Sequence, residues 1–144
     1  MTYFDLGTFS RRLDNTPSEA QMWFDRGLIW QYGFNHEEAI ACYERVLEVA
    51  PTNVMARWGI AHCLGPNYNK LWTSFGPEER IVALTRAHVL LAEACHLPAI
   101  EVERALLDAL TCGSLLTLRL RIMALGMTIS LQRCAQYTRV SLTI

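Results

Sequence analysis

One spacing constrains this chain more than any other feature. Trp23, Gly27, Trp30, Ala39, Tyr43 and Pro51 fall at positions 4, 8, 11, 20, 24 and 32 of a unit that begins at Ala20. Gaps of three and four residues put side chains on one stripe of a helix. Trp23, Gly27 and Trp30 share a stripe in a first helix, Ala39 and Tyr43 share a face in a second, and the proline closes that second helix. Such a chain is predicted to form two antiparallel helices joined by a short turn.

Local signals agree. "TPSEA" at Thr16–Ala20 offers Thr16 as a cap, Pro17 for the first turn and Glu19 as a capping-box partner. Gly33 is the expected stop. Asn35 with Glu38 reads as a second capping box, opening "HEEAIACYERVLEVA" with Ala39, Tyr43, Val46, Leu47 and Ala50 on one face. A third helix is predicted over "TNVMARWGIAHCLG", capped by Thr52 or Asn53 and ended by Gly65 and Pro66. "GPNYNKLWTSFGP" reads as a loop, a fourth helix follows Pro77, and Pro98 separates it from a fifth in "AIEVERALLDAL". Strand-like alternation occurs only in the tail, in "LTLRLRIM".

A second unit starting at Val54 repeats the spacing less closely, with Ala56, Ile60 and Ala61 in place and Leu64 where an aromatic residue is usual. Its inter-helix turn is replaced by the long Asn-containing loop, and a third unit begins near Ala99. The period and the residue types resemble the tetratricopeptide repeat, with Val46 standing where that family usually has alanine. "WFDRGL", "FNHEEA" and "LGPNYN" together resemble the N-terminal part of a family of longer cytosolic tetratricopeptide-repeat proteins, over roughly Tyr3 to Leu110. The resemblance implies an all-α fold of antiparallel helical hairpins, a fragment of a superhelix, in a cytoplasmic protein. It divides the chain into an N-terminal extension (1–15), helical repeats (16–110, with units at 20–53, 54–97 and 98–110) and an atypical basic tail (111–144).

The tail stands apart in composition. All 14 acidic residues lie at or before Asp108, and 111–144 carries four arginines and no carboxylate. Two readings stay open for it: a segment from a shifted reading frame, out of the family's register and disordered, or a divergent terminal helix. With the first, the polypeptide is a truncated family member. Elsewhere the balance is ordinary for a globular domain, at 51% hydrophobic and 19% charged residues. A net charge of −1 gives no basic field for nucleic acid or anionic membrane, and no uncharged apolar run is long enough to span a bilayer. Cys42, Cys63, Cys95, Cys112 and Cys134 are widely spaced without a CxxC pair, so free thiols in a reducing compartment are expected.

The candidate chemistry is sparse. His36-Glu37-Glu38 fails as a zinc motif because position 40, where a second histidine is needed, is Ile40. His62-Cys63 and Cys95-His96 are adjacent pairs, which point about 100° apart on a helix, so no metal or cofactor is expected. No nucleophile–base ordering stands out, and the chain reads as a protein-interaction scaffold more than an enzyme. The resemblance implies a concave surface lined by the first helix of each pair. Here that means Gln21, Phe24, Leu28 and Gln31, then Met55, Trp58 and His62. Phe24 and Leu28 replace the Lys and Asn with which some family members clamp a terminal carboxylate, so the expected partner is an apolar or amphipathic peptide, or the family's own further repeats. The alternative is a small-molecule or catalytic site around His36, His62, Asn67 and Asn69, with Tyr68 in the same loop.

Overall fold

Helices form where the caps and the apolar stripes predict them. The computed structural model describes residues 4–67 and 70–124, with side-chain surroundings through residue 112. Five α-helices lie among these residues: α1 (Ser18–Tyr32), α2 (His36–Val49), α3 (Val54–Leu64), α4 (Pro77–Ala94) and α5 (Glu101–Ala124). Each packs on the next, so α1–α2, α2–α3 and α3–α4 are antiparallel hairpins and α5 closes over α3 and α4. The class is all-α, as the periodicity predicts, and no strand lies among the described residues. No described helix is long and apolar enough to cross a membrane.

The centre of the fold is Tyr43. Its ring is fully buried between Gly27 of α1 and Gly59 of α3. A methyl group at Gly27 would lie 2.6 Å from the ring, and one at Gly59 2.5 Å, so neither helix tolerates a side chain there. The two missing side chains let three helices meet around one aromatic wedge. Phe24 packs on the ring at 5.6 Å between centroids. The Tyr43 hydroxyl donates to Gln31 Oε1 at 2.7 Å, and the Cys63 thiol lies 3.6 Å from the same oxygen. The buried phenol and the buried Gln31 carbonyl oxygen thereby satisfy each other.

The helix ends differ in detail from the sequence expectations. Thr16 does not cap α1: its hydroxyl donates to Asp14 O, and Pro17 occupies the N-cap position without a side-chain bond. The left-handed residue that ends α1 is Phe34 (φ +62°), with Gly33 in an ordinary conformation. Phe34 N–H donates to Gln31 O and Asn35 N–H to Trp30 O, the paired bonds of a Schellman turn. Asn35 caps α2 by accepting from Glu38 N–H, while its own N–H is held by Trp30 O, so the capping box is half formed. Asn53 caps α3 through Ala56 N–H at 2.8 Å. Helix α4 includes Pro77 as its first residue and ends at Ala94, before Pro98. The Arg104 guanidinium from α5 donates to Cys95 O and Leu97 O, satisfying carbonyls left open by that break.

Helix α5 runs straight through the compositional break near Leu110. Its backbone is helical across 116–123, where the alternation of "LTLRLRIM" is strand-like. The remainder of the atypical tail, 125–144, lies outside the described residues.

Candidate functional site

The residues assigned to a concave surface are mostly interior. Phe24, Leu28, Gln31 and Met55 are buried, enclosed by the α1–α2–α3 packing around Tyr43. They build the core and offer no face to a partner. Gln21 is also committed, donating to Arg11 O and accepting from Leu13 N–H, so it ties the N-terminal extension to α1. Trp58 is covered by α5: its indole N–H donates to Leu106 O at 3.2 Å. The chain's own fifth helix thus occupies the place expected for a bound peptide.

Two members of the set reach a cavity: Gln21 lines an open groove beneath the N-terminal extension, and His62 lines a cleft among the later helices. The His62 ring tilts against Trp58 at 5.1 Å between centroids, one turn along α3. It is half-buried, and its Nδ1 is enclosed with no hydrogen-bond partner. Burial, with a smaller contribution from nearby His36, holds its pKa below the ordinary histidine value, so the ring is neutral at pH 7. It lines a cleft of about 290 Å³ between α3, α4, α5 and the 3₁₀ turn at Trp72–Ser74.

The structure brings two of the four loop candidates together. His36, the first residue of α2, places Nδ1 2.9 Å from the Asn67 side-chain amide. Asn67 Oδ1 accepts from Lys70 N–H at 3.0 Å, and the two backbones pair across the turn. Asn67 therefore pins the modified loop to the start of α2, and this loop bond gives His36 a structural role. Phe34 stacks on the His36 ring from the other side, at 6.5 Å. Tyr68 and Asn69 lie outside the described residues.

No family model matches this chain, and no curated protein or solved structure matches it. The site must be judged on its own chemistry. Among the described residues no three His, Cys, Asp or Glu side chains converge as a metal site would require. Burial pushes the Cys42 thiol up to about 11 and the Cys63 thiol up to about 12, which makes both poor nucleophiles. Burial also pushes the Tyr43 phenol far above its usual range.

The sequence reading missed the part of the site supplied by the fourth and fifth helices. Ala83, Leu84 and Ala87 of α4, Leu110 of α5 and Trp72 complete the cleft around His62. The alanines at 83 and 87 are four apart on one helix face, a small-residue signal that marks an approach or a gap. Gly59 was also missed; a glycine in mid-helix opposite a buried aromatic carries the same message.

Proposed function

We propose that the chain is a tetratricopeptide-type helical scaffold for protein–protein interaction in the cytoplasm. One observation carries the reading. Helix α4 and the segment that follows leave aliphatic side chains open to solvent: Ile81, Val82 and Val89 on the helix, then Ile100 and Val102. Val82 and Val89 are 66% and 50% exposed, whereas the core face of α4 (Ala83, Leu84, Ala87, Leu91) is buried. Helical-hairpin arrays present such faces to a further repeat or to a partner's apolar segment. The unpaired thiols of Cys42, Cys63 and Cys112 suit a reducing compartment.

The partner class is an amphipathic peptide or helix that lays its apolar side along α4. Panning a random peptide library against the full chain tests this. Selected peptides should bind saturably and lose at least about tenfold in affinity for a Val82→Asp, Val89→Asp double variant that melts like the parent. Failure to select any binder, or binders indifferent to both aspartates, would sink the proposal.

The second reading, a small-molecule site around His36, His62, Asn67 and Asn69, gains support at His62 alone. The His36–Asn67 bond consumes those two side chains in holding the loop.

A further inference from the structure

The cleft beside His62 combines three properties. It has room, about 290 Å³. Its walls are apolar: Ala83, Leu84 and Ala87 from α4, Leu64 from α3 and Leu110 from α5. Of its lining residues only His62 and Trp72 carry a polar side-chain group, and of the two only the imidazole can accept a hydrogen bond.

We infer that this cleft binds a small, neutral, largely hydrophobic molecule bearing a single hydroxyl, which hydrogen-bonds the His62 imidazole. Size follows from volume. A dry cavity of about 150 Å³ accommodates benzene, so this cleft suits roughly ten heavy atoms. Neutrality follows from the walls, which supply no cation for a carboxylate and no carboxylate for an amine. A hydroxyl both donates and accepts, so it serves either tautomer of the ring. The Trp72 indole in the cleft lining gives the site an aromatic surface for an aryl or alkyl body. This site is distinct from the exposed α4 stripe, since Ala83 and Ala87 face inward from the same helix.

The test uses 4-propylphenol, a ten-heavy-atom probe, with propylbenzene as the analogue lacking the hydroxyl. The full chain should bind 4-propylphenol at one site with a Kd of about 0.1–1 mM. Propylbenzene should bind at least fivefold more weakly. The ¹⁵N resonances of the His62 ring should shift with 4-propylphenol and not with propylbenzene. Ala83→Leu, which fills the cleft, should abolish both interactions, and His62→Phe should reduce the phenol to the level of propylbenzene. Val82→Asp with Val89→Asp should leave the phenol affinity unchanged, which separates this site from the scaffold surface. The inference is overturned by absence of saturable binding in the parent chain, by equal affinity for the two probes with unshifted His62 signals, or by binding that survives Ala83→Leu. Because the parent titration and the ring resonances need no variant, the outcome stands even if a substitution fails to fold.

Discussion

The first three helices and the last two solve the same packing problem in opposite ways. Around Tyr43, two glycines are matched to one large ring, and Phe24, Met55, Ile60 and Val46 fill what is left, all of them almost inaccessible to water. Around α4 the small residues Ala83 and Ala87 face a cleft, while Ile81, Val82 and Val89 face outward. Complementary shape fixes the first half uniquely. The second half keeps room and exposed apolar surface, and both proposed activities reside there. Where a helical array is densely filled it is framework, and where it is loosely filled it has capacity to bind.

The sharpest way to break this contrast is to give the glycines a side chain. Gly27→Ala or Gly59→Ala should each destabilise the chain by about 3 kcal/mol, because overpacking against the Tyr43 ring exceeds the roughly 1 kcal/mol gain in helix propensity. In a Tyr43→Leu background the sign should change, with Gly27→Ala neutral or stabilising. Chemical denaturation of the four variants measures both effects; additive costs would show that the ring is not the obstacle. By contrast Ala83→Leu, on the loosely filled side, should cost less than either glycine change.

A smaller effect is expected where the two halves join. Trp58→Phe removes the indole bond to Leu106 O and should cost about 1 kcal/mol. Hydrogen exchange should accelerate in α5 and stay unchanged in α1 and α2, since opening energies are local. Equal acceleration everywhere would mean that α5 is not a separable cover.

The smallest effect concerns pH. The folded chain lowers the His62 pKa below 6.5, so the unfolded chain binds the proton more readily. His62 therefore contributes stability that is complete above pH 6.5 and is lost as pH falls towards its folded value. Melting temperatures at pH 7 and pH 5 should differ less in His62→Gln than in the parent. An unchanged difference would place the acid sensitivity elsewhere.

The legible part of this fold was the part written as complementary sizes. Gly27 stands on the stripe of one helix and Ala39 and Tyr43 on that of the next, and the resemblance to the tetratricopeptide repeat implies that the large residue fills the gap left by the small one. The concave surface was misjudged at Phe24, Leu28, Gln31 and Met55 because periodicity says which residues share a face, not what lies on that face. A narrow stripe on α1 already meets both α2 and α3, which leaves no groove there for a guest. The capping residues were misjudged at Thr16 and Gly33 for a related reason. Several residues compete for each helix end, and here Pro17 and Phe34 took those positions. The cleft beside His62 joins residues up to 49 positions apart in sequence, from Ala61 to Leu110, and no local pattern announces it.

Gln21 has a consequence that reaches back to the first residues of the chain. Its side-chain amide accepts from Leu13 N–H and donates to Arg11 O, both at 2.8 Å, which is how one peptide group pairs with its neighbour in a β-ladder. Asp25, one turn on, takes Ser10 Oγ and Arg11 N–H and steadies the Gln21 amide. A helix surface here impersonates a single rung of sheet, so an extended strand can lie along it without a strand partner. Only a primary amide has the donor and acceptor side by side in the required geometry. Substitution by methionine would remove the rung while leaving every helix intact, and the leading segment would then be held through Asp25 and Arg26.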